Sequence, residues 1–140
     1  MNIFFTGSIR GGRAMLPIYA TIVGELQKYG RVLSAQVADE NITVYGETDL
    51  SKEEIHDREM KNILNSNVVI AEVTTPSLGV GYEIAQALNE KKRVVCLYQG
   101  KDTYKLSAMI KGNTEVEIFT YATPDNLPVL IEQIFNNSRS

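Results

Sequence analysis

Two short glycine-rich loops hold the residues of this chain best suited to chemistry, GSIRGGR at 7–13 and TTPSLGVGYE at 74–83. The first sets Gly7, Ser8, Ile9, Arg10, Gly11, Gly12 and Arg13 just ahead of a helical pattern. Free backbone N–H groups, the positive end of a helix and forked guanidinium groups make a cradle for a phosphate or a carboxylate. A plain glycine turn carrying solvated arginines accounts for the same composition. The loop is neither a GxGxxG fingerprint nor a GxxxxGK[ST] loop, so dinucleotide and P-loop nucleotide sites lose their main support. The second loop places Ser77, Gly79 and Gly81 ahead of Glu83, which the pattern puts within the first turn of a helix. There the helix dipole favours an ionised carboxylate, by about 0.3–1 kcal/mol at an exposed site. An ionised carboxylate suits a nucleophile better than a proton donor. Simple stabilisation of the helix start is the competing reading.

A second carboxylate can come from SKEEIHDREMKNIL at 51–64. At about 100° per residue from Ile55, Ile63, Met60 and Leu64 fall at about 80°, 140° and 180°. Glu59, at about 40°, lies inside that apolar arc, whereas Asp57, at about 200°, lies just past its edge. Glu59 is the preferred inward acid and Asp57 the alternative. His56 falls at the centre of the arc, where a lone histidine is more often a structural residue than a catalyst.

The elements that must position these groups alternate. NIFFTG (2–7), NVVIAEV (67–73) and RVVCLY (93–98) are apolar almost throughout, as befits parallel strands covered on both faces. RVLSAQV (31–37) and VEIFTY (116–121) are weaker strand candidates. Helical spacing recurs in Met15, Ile18, Ile22 and Leu26, and again in Ile84, Ala87 and Leu88. Ser51 with Glu54 forms a capping box that opens a helix through about Asn65. Pro124 stands in the first turn of a last helix carrying Leu127, Leu130, Ile131 and Ile134. Residues 38–50 form the longest irregular stretch. The alternation implies one α/β domain spanning 1–140, a doubly wound parallel sheet of five strands with helices on both faces. With strand order 2-1-3-4-5, the ligand crevice lies between the first and third strands, where the two loops meet.

Bulk composition narrows the function. The 140 residues are 44% hydrophobic and 22% charged, enough for one core, and the net charge is only -3. No basic run offers the footprint of a nucleic-acid polymer. The single cysteine, Cys96, excludes an internal disulfide and suits a buried place in a reducing compartment. The short apolar start does not resemble a signal peptide, and no stretch reaches the roughly 20 apolar residues of a membrane span. The expectation is a cytoplasmic protein without a membrane partner.

GSIRGGR, AEVTTPSLGVGYEIAQA, KRVVCLY and LSAMIKG (106–112) together closely resemble the 2′-deoxynucleoside 5′-phosphate N-hydrolase family, within the nucleoside 2-deoxyribosyltransferase superfamily. The resemblance runs from about residue 2 to residue 135. It implies a flavodoxin-like fold, a homodimer, no metal or organic cofactor, and cleavage of the bond between base and deoxyribose in deoxynucleoside monophosphates. Carried over by motif, the nucleophile is Glu83 and the assisting acid Glu59. The phosphate is held by Gly7, Ser8, Ile9, Arg10, Gly11 and Gly12 together with Ser77, and Arg13 and Gly79 are further substrate-binding candidates. The partner subunit completes the site through the LSAM segment, here Ser107 with Ala108 and Met109. LSAMIKG reads as an ordinary short surface helix, and its Leu106, Met109 and Ile110 fit an apolar dimer patch equally well.

The implied mechanism is double displacement at C1′. In the related transferases an aspartate usually stands six residues before the nucleophile and reads the free 5′-hydroxyl; Ser77 stands there in this chain, and a carboxylate would repel a phosphate. The chain departs from the family at Glu59, usually aspartate, and at Phe4, usually tyrosine. Base-side contacts are expected from the first helix, around Tyr19 and Ile22, and from the loop after Gln36. A deoxyribosyltransferase and a nucleotide-binding module without catalysis are the alternative functions.

Overall fold

The computed structural model describes residues 1–9, 14–42 and 46–136. In chain order the main elements are β1 (Asn2–Gly7), α1 (Leu16–Leu26), β2 (Arg31–Leu33), α2 (Lys52–Leu64), β3 (Val68–Glu72), α3 (Leu78–Asn89), β4 (Arg93–Gln99), α4 (Ala108–Lys111), β5 (Val116–Tyr121) and α5 (Leu127–Asn136). The strands make one sheet in the order β2-β1-β3-β4-β5, and every pairing is parallel. This is the doubly wound architecture that the alternation of elements implies.

The period-two alternation of side chains divides the core between two helical layers. Ile3, Phe5, Ile70 and Leu97 pack beneath α1 and α5 with Tyr19, Ile22, Leu127 and Ile131. Phe4, Val69, Ala71 and Cys96 face α2 and α3, against Ile63, Val80 and Ile84. In register, Phe5 lies opposite Ile70, Thr6 opposite Ala71 and Gly7 opposite Glu72, so β1 and β3 end together at the same edge of the sheet. That common edge is where the strands hand over to the two loops.

Two elements differ from expectation. The strand expected over 31–37 stops at Leu33, because Ser34 takes a left-handed conformation (φ 63) and a 3-10 turn follows at Ala35–Ala38. The last helix opens with a separate 3-10 turn at Pro124–Asn126 before α5 begins. The Ser51–Glu54 capping box is present in both directions, with Glu54 N donating to Ser51 Oγ at 3.0 Å and Ser51 N to Glu54 Oε1 at 3.1 Å.

A buried carboxyl group ties the sheet together at this edge. Glu72 is fully buried and accepts from Thr74 N at 2.6 Å, from Thr74 Oγ1 at 2.9 Å and from the Tyr121 hydroxyl. Gln99 N donates in turn to Thr74 Oγ1 at 2.9 Å, so β3, β4 and β5 are joined through one polar cluster. Burial pushes the Glu72 carboxyl above its ordinary range. Replacing Tyr121 by Phe removes one donor from a buried carboxyl group. We expect a loss of about 1–3 kcal/mol of stability, read from the urea unfolding midpoint at neutral pH.

Candidate active site

A cavity of about 1000 Å³ opens at the carboxyl edge between β1 and β3. Its floor is Thr6 and Gly7 from β1; one wall is Ser77, Gly79, Tyr82 and Glu83 from the start of α3; the other is Ile55, His56, Arg58 and Glu59 from α2. Gln36 and the strap containing Gly46, Glu47, Thr48 and Leu50 close the remaining side.

Glu83 sits deeper than expected. Ser77 is the N-cap of α3, its Oγ accepting from Val80 N at 3.3 Å, which places Glu83 in the second helical turn rather than the first. Among the described residues, the Thr6 hydroxyl is the one hydrogen-bond donor to it, giving its proton to Oε1 at 2.8 Å. Some of the Glu83 surface stays open to the cavity, but protein surrounds the carboxyl group. Burial raises its pKa to about 7, the negative charge of Glu59 adds to the rise, and Thr6 and Arg58 oppose it. Desolvation outweighs the helix dipole here, the reverse of the order expected for a solvated helix start.

Glu59 is buried and reaches the same cavity. It accepts from Ser34 Oγ at 2.7 Å, Arg58 Nε at 2.9 Å, and Gln36 Nε2 and Asn62 Nδ2 at 3.4 Å. The left-handed turn at Ser34 is what brings its hydroxyl onto this carboxylate. Arg58 also donates through Nη1 to Glu47 Oε2 at 2.8 Å, fastening the strap to α2. Asp57 is turned to solvent, with 81% of its side chain exposed, and among the described residues it meets His56 Nδ1 at 3.0 Å. His56 is half exposed at the cavity mouth, its Nε2 3.0 Å from the Tyr82 hydroxyl, and is not the core residue its phase suggests. Leu64 is largely exposed, so the true inward arc of α2 centres near Glu59 and Ile63.

Other expected site residues are distributed unevenly. Gly7, Ile9, Ser77 and Gly79 line the cavity. Ser8 is fully buried, its carbonyl accepting from the Tyr19 hydroxyl at 3.2 Å. Arg10, Gly11, Gly12 and Arg13 lie outside the described residues. Ser107, Ala108 and Met109 are exposed and lie outside the cavity lining of their own chain. Tyr19 and Ile22 belong to the opposite core layer, so the expected base contacts from α1 are not made; Ile55, His56 and Tyr82 stand at the cavity instead. Thr6, Arg58 and Glu47 are the site residues that the sequence did not single out. Thr6 carries a weak signal, a lone hydroxyl at the end of an apolar strand.

No protein-family model matches the chain. It is 42% identical over 137 residues to a 5-hydroxymethyl-dUMP N-hydrolase of Danio rerio, covering 96% of each chain. It is also 48% identical over 113 residues to a Nematostella vectensis protein named among the 2′-deoxynucleoside 5′-phosphate N-hydrolases, covering 79% of this chain and 76% of the relative. The chain belongs to this family of N-hydrolases. It is accordingly an N-glycosidase. A CMP N-glycosidase from Clostridium botulinum shares the fold, with a TM-score of 0.66 over 96% of this chain and 99% of the other at 16% identity. Among the described residues of this N-hydrolase family member, no helix is long and apolar enough to cross a membrane, and no cluster of three metal-ligating side chains occurs.

The raised pKa of Glu83 has a sign that stability measurements can read. A folded state that holds its proton more tightly than the unfolded chain gains from that group below about pH 4.5 and loses the gain as pH rises through about 7. Glu83→Gln, which does not titrate, should therefore gain on the order of 2 kcal/mol relative to wild type between pH 4.5 and pH 8. Melting temperatures of the two proteins at both pH values check this; a pH-independent difference would contradict it.

Proposed function

We propose that this chain hydrolyses the N-glycosidic bond of 2′-deoxynucleoside 5′-monophosphates, releasing free base and 2-deoxyribose 5-phosphate through a covalent deoxyribosyl ester of Glu83. The observation that carries the reading is the joint placement of Ser77 and Glu83 on one helix, both facing a cavity that Glu59 also reaches. The names of the relatives support the reaction class, and 5-hydroxymethyl-dUMP is the first substrate to try.

In the first step an oxygen of ionised Glu83 bonds to C1′ as the C1′–N bond breaks and its electron pair leaves with the base. The departing base takes up a proton relayed through Glu59, which faces the cavity; Asp57, turned to solvent beside His56, is poorly placed for it. Water then attacks C1′ and gives up one proton, which replaces the one taken by the base; the ester C–O bond breaks, and the electron pair returns to the Glu83 carboxylate. No metal or organic cofactor enters the scheme. Ser77, uncharged at the helix start, receives the 5′-phosphate together with the glycine-rich loop that begins at Gly7 and includes Ser8 and Ile9. A pKa of about 7 leaves Glu83 part-protonated at neutral pH, so ionisation limits activity on the acid side.

The exposure of Ser107, Ala108 and Met109 supports a homodimer in which they complete the neighbouring cavity rather than their own. Of the expected apolar patch Met109 is 83% exposed, whereas Leu106 is buried in the core of its own chain and Ile110 packs against that core. Buried Cys96 suits a reducing cytoplasm.

Incubation with a panel of deoxy- and ribonucleoside monophosphates, followed by chromatography of the released base, tests the assignment. We expect release from deoxynucleotides, an acid limb in kcat/KM near pH 7 for wild type, and loss of at least about a thousandfold in Glu83→Gln, as befits removal of a nucleophile. Incorporation of a labelled acceptor base in place of free sugar phosphate would identify a transferase instead. Ser77→Asp should lose monophosphate turnover by roughly ten- to a hundredfold, while free nucleoside is less affected.

A further inference from the structure

The nucleophile proposed above has a hydrogen-bonding neighbour in β1. Thr6 is 3% exposed, stands on the strand that pairs with both β2 and β3, and points to the same layer as Phe4 two residues earlier. Phe4 brings no polar atom to that layer, and the Tyr82 hydroxyl is engaged with His56 at the cavity mouth. The hydroxyl of Thr6 lies 2.8 Å from Glu83 Oε1. We infer that Thr6 is a positioning residue for the reaction: its hydroxyl holds Oε1 and turns Oε2 toward the cavity as the oxygen that bonds to C1′. This rests on the reading of Glu83 as the nucleophile.

The chemistry of a hydroxyl suits the whole cycle. It donates to the ionised carboxylate before attack and can accept from the carboxyl group when Glu83 is protonated, so the side chain stays in place across the titration. Once Oε2 is bonded to C1′, Oε1 is the carbonyl oxygen of the ester and still accepts from Thr6. When water displaces the ester, negative charge returns to the carboxylate, and the hydrogen bond strengthens as it becomes charge-assisted. Thr6 thus contributes to the geometry of the first step and to the leaving ability of Glu83 in the second. Its hydrogen bond is also one of the two influences that restrain the rise in the Glu83 pKa.

The test compares Thr6→Val, Thr6→Ser and Glu83→Gln, using as probe the deoxynucleoside monophosphate that wild type cleaves fastest. Valine keeps the volume of threonine and removes the donor. We expect kcat to fall roughly ten- to a hundredfold in Thr6→Val, the scale of a lost hydrogen bond to a charged group. The acid limb of kcat/KM should move to higher pH, and the glycosyl ester should build up enough to appear in intact-protein mass spectra. The substrate phosphate titrates identically with every variant, so it cannot produce the shift. Thr6→Ser should return both rate and limb toward wild type, and should Thr6→Val fail to fold, Thr6→Cys, a much weaker donor, takes its place. Wild-type rate and pH limb in the donorless variant, with Glu83→Gln inactive, would overturn the role of Thr6 and leave the nucleophile standing. Turnover by Glu83→Gln would overturn both.

Discussion

A carboxyl group withdrawn from water is the constraint around which this molecule is arranged. Glu83 stands at the carboxyl edge of a parallel sheet, where protein crowds it and one hydroxyl meets it. Ionising such a group is costly unless the surroundings supply compensating dipoles and charges. The neighbourhood does so sparingly: Thr6 donates, Arg58 lends positive charge, and Glu59 works against both. A carboxylate in that position is held near its titration point, which makes it responsive to an incoming ligand in a way that a fully solvated acid is not.

The rest of the architecture serves that arrangement. Parallel strands buried on both faces cannot shift relative to one another without exposing one layer or the other. Glu72 adds a polar lock at the same edge, joining β3 to β5 and, through Thr74, to β4. On the other side of the cavity Arg58 divides its donors between Glu47 and Glu59, so the strap and the second carboxylate share one guanidinium. The left-handed Ser34 contributes a further hydroxyl to Glu59 and costs backbone strain of about 1 kcal/mol to do so.

Much of this is legible in the amino-acid sequence. Apolar runs without alternation identified buried parallel strands, and the order of strands and helices led to the crevice between β1 and β3. The six-residue offset between Ser77 and Glu83 is read through the family resemblance; sequence alone starts the helix too late and puts Glu83 in its first turn, whereas α3 begins at Leu78. Helical phase chose Glu59 over Asp57 correctly as the inward acid, but it misplaced the centre of the arc, since Leu64 is apolar and yet exposed. What stayed hidden came from contacts between distant parts of the chain. Thr6 meets Glu83 across 77 residues, and Ser34 meets Glu59 across 25. No periodicity encodes such pairs. Tyr19 was misassigned for a related reason: an aromatic on an amphipathic helix reads the same whether it faces a ligand or, as here, the ring of Phe5.

One consequence follows from the placement of Ser77 and Glu83 on α3. The two are separated by a rigid rod, with about 1.5 Å of rise and 100° of turn per residue. Their separation and relative bearing are therefore properties of helical register and cannot adapt to the ligand. Insertion or deletion of a single residue between them would swing one group about 100° around the axis and would turn Val80 or Ile84 away from the core at the same time. The stretch is therefore constrained in length as well as in side chain, and the helix serves as a gauge block along one wall of the cavity.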